Sequence, residues 1–523
     1  MSGGETPGDV TICALPPFYR FKGPSLRKLA ISTLIGLAAA SIGAAAPADA
    51  AARPRLDKLV KLKDIRRHQK DLQTIATYNG GTRAAGESGF EISTKYVVKQ
   101  LKKAGYRPTV QDFPFDYYKE KTPAVLDRPG GPSYVYGTDY ATLDFSGSGD
   151  VTAVATAVDA AGAGVGSGCE ADDFAGFPKG NIALVKRGGC NFSVKAGNAQ
   201  TAGAAAIAIY NDGASPERMG PVQGTASTPW KIPVIGPTYQ LGTDLVKDSA
   251  SGTLKLHIKT DTFSEKRTAH NVLAETRRGR ADNVVVLGAH LDSVTAGPGI
   301  NDNGSGTATV LTIAEQIDKL GKGIKNKVRF AFWGAEEEGL LGSEYYVEHL
   351  TAAQKSRIAL NLNFDMLGSP NGVRGVYDGD DSEGAGTNPP AGSGAIEKVF
   401  LDYYGTRKLA TSPSEFNGRS DYGPFIENGI PAGGLDSGAE KLKTEAEAKI
   451  YGGEAGKAYD PCYHLACDTY ANNNSTILDQ LADGAAHAAQ VFAGSTLPVN
   501  GGRVAAPKAA KARAHTPVGR DLR

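Results

Sequence analysis

Two histidines and a scattered set of acids are the residues of this chain best suited to chemistry. His290 and Asp292 lie in GAHLDSV, Asp302 in GINDNGSG, Glu336, Glu337 and Glu338 in FAFWGAEEEGL, Asp365 in NFDMLG and His464 in CYHLAC. Imidazole nitrogens and carboxylate oxygens together suit zinc, which accepts both donor types. Taken singly, each has a plainer reading: a histidine at a strand end is usually a turn residue, and a glutamate triplet is usually a solvated face. Three carboxylates beside Trp333 and Gly334 at a buried strand end are different, because like charges there repel and lose solvation unless a cation compensates them. His349 and His487 fall in helical patterns without such company and read as packing or surface residues. No HExxH helix occurs, which removes the zincin arrangement.

The elements that must position these groups follow from periodicity. Val284 to Leu287 form a continuous apolar run, as in a strand buried on both faces. A helix is expected from near Gly304, with Ala308, Leu311 and Ala314 on one face. A strand Val328 to Trp333, a helix around Leu340 to Leu350 and a strand Ile358 to Phe364 follow. This alternation predicts an α/β fold: a mixed, mainly parallel central sheet flanked by helices. Open sheets of that kind bind ligands beyond the carboxyl ends of their strands. His290, Asp292, the glutamate triplet and Asp365 all follow such ends.

Upstream, residues 51–130 begin basic and helical, with Val97, Val98, Leu101 and Ala104 on one face and Gly105 as the C-terminal cap. Residues 131–260 change texture: Val151 to Val158, Ile182 to Val185, Ile207 to Tyr210 and Ile232 to Ile235 alternate with Gly, Pro and Asp turns, which predicts an inserted β-rich module. The metal-type residues occupy 261–495. Residues 496–523, basic and rich in Pro and Ala, are expected to be a disordered tail.

The 523 residues carry 57 Lys and Arg against 56 Asp and Glu, a formal charge of +1, with 22% charged and 41% hydrophobic residues. That balance is globular and offers no electrostatic footprint for nucleic acid or an anionic membrane surface. Arg27 and Lys28 precede an Ala-rich apolar run that ends in Ala48-Asp49-Ala50, so residues 1–50 read as a secretory signal and the protein as extracellular. Ser32, Ser41 and Gly43 dilute the run too far for a good anchor. Cys13 would leave with the signal. The remaining four cysteines are even in number in an exported chain, and proximity pairs Cys169 with Cys190 and Cys462 with Cys467.

The strings GAHLDSV…GPGINDNGSG, FAFWGAEEEGLLGS, NFDMLG and CYHLACDTY resemble the co-catalytic zinc aminopeptidases of peptidase family M28, in particular the secreted actinobacterial leucine aminopeptidase group. GCEADDFAGFPKGNIALVKRGGCNF and AGAAAIAIYND resemble a protease-associated (PA) domain inserted into the peptidase. The resemblance implies two zinc ions, with His290 and Asp365 on one, Glu337 and His464 on the other, and Asp302 between them. It makes Asp292 the carboxylate that orients His290, Glu336 the general base, and Tyr463 the hydroxyl that stabilises the oxyanion. A Cys462–Cys467 bridge would pre-position Tyr463 and His464.

NGRSDYGPF resembles the family stretch that contacts substrate, which places Gly418 and Arg419 near the scissile end, and Met366 likewise. In GGLDSGAE, Asp436 stands where leucine-preferring relatives often carry an aromatic residue. If it lines the first specificity pocket it would favour an N-terminal Lys or Arg; otherwise it is a loop aspartate facing water. The implied partners are peptides with a free N-terminus, acted on by a monomer without stable membrane association. A carboxypeptidase of the same superfamily is a rival, disfavoured because no arginine cluster adjoins the motifs. A binding protein on a dead peptidase scaffold is another, disfavoured because all five ligands and the base are present. Glutaminyl cyclases share the fold but use one metal. The many aspartates are compatible with a calcium ion, which nothing in the sequence places.

Overall fold

The computed structural model describes residues 54–501, except 160–166, 216–217, 227 and 385–386. The expected secretory signal and Cys13 lie outside the described residues, as does the tail beyond Gly501. Thirteen strands are present among the described residues: β1 (Thr109–Asp127), β2 (Tyr140–Thr142), β3 (Gly149–Ala157), β4 (Ile182–Lys186), β5 (Ala206–Tyr210), β6 (Val234–Pro237), β7 (Lys255–Glu275), β8 (Arg280–His290), β9 (Asn326–Trp333), β10 (Ile358–Phe364), β11 (Gly375–Tyr377), β12 (Ser412–Ser414) and β13 (Ala432–Asp436).

The strands run in the order β12-β11-β13-β10-β8-β9-β7, continuing through β3-β4-β5-β6-β2. In the first half β8, β9, β10 and β13 are mutually parallel neighbours. Their residues are buried almost throughout, as expected for a sheet with helices on both faces. Helices Gly304–Ile317 and Ser475–Gly494 supply much of that cover: Val310, Leu311, Ile313, Leu478 and Leu481 pack in one core with Val285, Leu287, Phe330 and Leu360. The expected strand Ile358 to Phe364 keeps its ends, and the helix expected to reach Leu350 stops at Glu348.

The inserted segment holds the expected short strands, with helices among them. β3, β4, β5 and β6 are parallel, and parallel neighbours need crossovers. The one from β4 to β5 holds the helix Phe192–Thr201, and a second helix, Tyr239–Ser249, leads from β6 to β7. The chain end differs from expectation: Leu497–Asn500 form a helical turn, with Asn500 Nδ2 donating to Asn283 Oδ1 at 3.1 Å.

Two strands tie the halves together. β1 and β7 pair antiparallel from Thr109↔Leu273 to Asp127↔His257. On the other edge of β7, Val272 to Glu275 pair with β9, and Lys255 to Thr260 pair with β3. Phe113, Phe115, Ala269 and Val272 therefore belong to the main core, whereas Leu126, Leu256 and Ile258 of the same two strands belong to the core of the inserted segment.

Candidate active site

β10, β8 and β9 are adjacent and parallel, so their carboxyl ends meet at one edge. His290 is the last residue of β8, in register with Trp333 of β9. Asp365 follows the last residue of β10. Asp302 precedes the helix that starts at Gly304, and Asn303 caps that helix by accepting from Gly306 N at 2.9 Å. The same Asn303 donates to Phe364 O at 2.9 Å, which ties the Asp302 loop to the end of β10.

The structure brings the expected ligands into one cluster. His290 Nε2 lies 3.1 Å from Asp302 Oδ1 and 3.2 Å from Asp365 Oδ1. His464 Nε2 lies 3.2 Å from Asp302 Oδ2 and 3.0 Å from Glu337 Oε2. Each oxygen of Asp302 thus faces a different imidazole. Glu336 stands back, with Oε2 3.8 Å from His290 Nε2. Asp292 is 3.7 Å from His290 Nδ1, beyond hydrogen-bond distance. Its carboxylate accepts instead from the backbone of Glu336 at 3.2 Å and Glu337 at 3.3 Å, and so fixes the glutamate turn.

Burial makes this cluster costly on its own. Glu336 and Glu337 are pushed above the usual carboxylate range by desolvation, with neighbouring carboxylates adding to it. Burial opposes charge on the imidazoles too, yet the surrounding acids outweigh it: His290 rises well above its ordinary value, and His464 is pushed up to about 10. Asp302 resists burial through its contacts with His290 and His464 and is held far below the usual range. Among the described residues, Glu337 Oε1 and Asp365 Oδ1 are buried atoms without a hydrogen-bond partner. Ligands about 2.0–2.1 Å from a tetrahedral zinc stand about 3.3 Å from one another, close to the nitrogen–oxygen spacings found here. The residues fit bound zinc.

A cavity of about 530 Å³ opens on the cluster and is lined by Asp302, Glu336, Glu337, Asp365 and His464. Met366, Arg419, Asp436 and Tyr463 also line it. Tyr463 stacks on His464, with centroids 3.7 Å apart. Gly418 is not among the lining residues; its N–H donates to Tyr422 Oη at 3.0 Å. Arg419 pairs with Glu440 at 2.6 Å. Both expected disulfides, Cys169–Cys190 and Cys462–Cys467, are formed.

Several residues that shape the site escaped the sequence reading. Ser420 Oγ donates to Asp365 Oδ2 at 2.6 Å, leaving Oδ1 for the cluster. Asp468 accepts from Asn301 N at 2.8 Å and Asp302 N at 2.9 Å, which holds the Asp302 loop against the Cys462–Cys467 loop. Asp421 is fully buried and pushed up to about 8 by desolvation. Arg83, also fully buried, donates to the carbonyls of Leu291, Pro298 and Gly299. Ser420, Asp421 and Asp468 sit inside motifs already singled out, and that position was the available signal; Arg83 had none.

Residues 271–489 match the model of peptidase family M28, and residues 151–245 match the PA domain. The chain is similar to an aminopeptidase of Pseudomonas aeruginosa, 45% identical over 465 residues that cover 88% of this chain and 86% of that protein. Among solved structures it is similar to the aminopeptidase from Aneurinibacillus sp. strain AM-1, with TM-score 0.66 and 26% identity over 83% of this chain and 94% of that one. It is also similar to a zinc aminopeptidase from Bacillus subtilis, with TM-score 0.57 and 25% identity over 83% and 95% of the two chains. With the ligand-bearing strand ends, the inserted segment and these likenesses in agreement, the chain belongs to peptidase family M28, as an aminopeptidase carrying a PA domain.

Proposed function

We propose that the protein is a secreted, monomeric di-zinc aminopeptidase that removes the N-terminal residue from peptides. The observation that carries this reading is the placement of the two Asp302 oxygens, one toward His290 and one toward His464. His290 and Asp365 would hold one zinc, Glu337 and His464 the second, and Asp302 would serve both. When bound, the pair supplies Lewis acidity toward a carbonyl oxygen and acidifies a water.

The chain's own residues do the rest. Glu336, displaced from the ligand set, takes a proton on its carboxylate from the attacking water and returns it to the leaving amine. The Tyr463 hydroxyl donates to the oxygen that gains charge, a type of contact worth about 2.7–4 kcal/mol in the transition state. Glu336 and Asp365 together attract the free α-ammonium of the substrate, which makes the enzyme an exopeptidase. The two disulfides fit an oxidising destination.

Elemental analysis of the purified protein is expected to give two zinc ions per chain, with activity on Leu-p-nitroanilide lost on chelation and restored by zinc. Glu336→Gln should keep both ions and lose about 10²–10⁴ in kcat. One ion per chain, or a Glu336→Gln enzyme of full activity, overturns the mechanism. Cleavage of N-acetylated peptides from the carboxyl end would point to the carboxypeptidase instead.

A further inference from the structure

The aminopeptidase reading leaves open which N-terminal residue the cavity accepts. β13 pairs parallel to β10, with Leu435 opposite Phe364, so Asp436 occupies on β13 the position that Asp365 occupies on β10. Neighbouring strands lie about 4.8 Å apart, and both carboxylates line the same cavity. A residue whose α-amino group rests against Asp365 thus has Asp436 one strand further along the sheet.

The walls around Asp436 are suited to a long aliphatic stem. Met366, Val373, Tyr377, Tyr422 and Tyr459 line the cavity with it. Methylene chains pack well on such surfaces while their charged ends reach a polar group, and ring faces attract cations. The Asp436 carboxylate is incompletely engaged. Its Oδ1 accepts from Gly438 N at 2.9 Å and the Ser414 hydroxyl lies beside the carboxylate, but no Lys or Arg nitrogen among the described residues lies within 4.0 Å of it.

Two other acids that line the cavity, Glu447 and Glu440, are already used. Glu447 Oε1 accepts from Tyr459 Oη at 2.6 Å, and Glu447 Oε2 accepts from Thr444 N at 2.9 Å in a helix cap. Arg419 and Glu440 neutralise each other. Lys441 also lines the cavity and is the one competing cation there that forms no ion pair within 4.0 Å among the described residues.

Resting on the aminopeptidase reading, we propose that this cavity receives the side chain of the substrate's first residue and that Asp436 makes it select Lys or Arg. A charge-assisted hydrogen bond formed away from bulk water is roughly twice as strong as a neutral one. The Tyr377, Tyr422 and Tyr459 rings accept a leucine stem as readily as a lysine stem, so the discrimination resides in the carboxylate.

The test compares kcat/KM for Lys-, Arg- and Leu-p-nitroanilide in the zinc-loaded wild type, Asp436→Asn and Asp436→Leu, with competitive inhibition by free L-lysine and L-leucine as a binding readout. The wild type is expected to prefer the basic substrates. Both variants should lower the Lys/Leu ratio at least tenfold, and the inhibition constant for lysine should rise relative to that for leucine. An unchanged ratio, or a parallel loss on all three substrates, overturns the proposal and leaves Asp436 as a turn residue bonded to Gly438. Failure of the wild type to hydrolyse any of the three would instead count against the aminopeptidase reading itself.

Discussion

Arg83 shows how much of the site depends on a residue that touches none of the proposed reacting atoms. Burial lowers its guanidinium to about 10, yet Asp292, Asp468 and Asp302 keep it a cation at neutral pH. Its fork holds three carbonyls of the loop that leads from His290 toward Asp302. Lysine presents a point of charge in place of a planar fork, and a buried carbonyl left without a donor costs about 1–3 kcal/mol. Arg83→Lys is therefore expected to lose about 2–4 kcal/mol in urea unfolding and to release zinc faster on dialysis. Wild-type stability and zinc retention in the variant would refute that role. Residues like His290 and Glu337 were legible because their chemistry is unusual at a strand end. Arg83 was not, because its partners lie more than 200 positions away and are backbone atoms, which leave no mark on side-chain identity.

At the scale of elements, the β1/β7 ribbon carries a pH-sensitive clip. His257 of β7 bonds Asp127 of β1 at 3.0 Å and Asp150 of β3 at 2.8 Å. Those two acids raise its pKa above the ordinary value. A raised histidine contributes stability fully below its unfolded pKa of about 6.5, and the contribution fades as pH climbs through the folded value. His257→Ala should lower Tm by about 1–2 °C at pH 5.5 and by less at pH 8.5; an equal or larger loss at pH 8.5 would exclude the clip. The strands themselves were readable from apolar runs: β10 kept both expected ends, and β8 and β9 kept their cores. The PA segment was read as β-rich because its strands are short and β-branched. Its helix Phe192–Thr201 went unread because Ala, Gly, Asn and Ser leave it little apolar periodicity, and Tyr239–Ser249, whose Leu241 and Leu245 do share a face, was passed over among the strands.

For the whole molecule, the PA match and the residues just before it are part of the cavity. Asp144, Phe145 and Thr225 line it together with Asp302 and Glu336. Phe145, only 7% exposed, is the one aromatic ring of the three. Phe145→Ala is expected to raise the ratio of kcat/KM for a hexapeptide over a dipeptide several-fold. The ratio is insensitive to any loss of folded enzyme, and an unchanged value would mean that this wall does not meet the substrate. The sequence revealed that a PA domain was inserted. It did not reveal that the insertion faces the metal-ligand cluster, because that depends on how β1 and β7 carry two cores on one ribbon.

The ribbon has a consequence for which polypeptides can be trimmed. Swinging the PA wall outward would mean peeling β3 from β7, or unzipping the long β1/β7 pairing, at the expense of backbone ladders in both halves. The width of the aperture is thus tied to the ladders that the fold itself needs. A terminus is then expected to thread in as a loose end, so that digestion of one globular protein before and after denaturation should spare the tucked amino terminus and consume the unfolded chain.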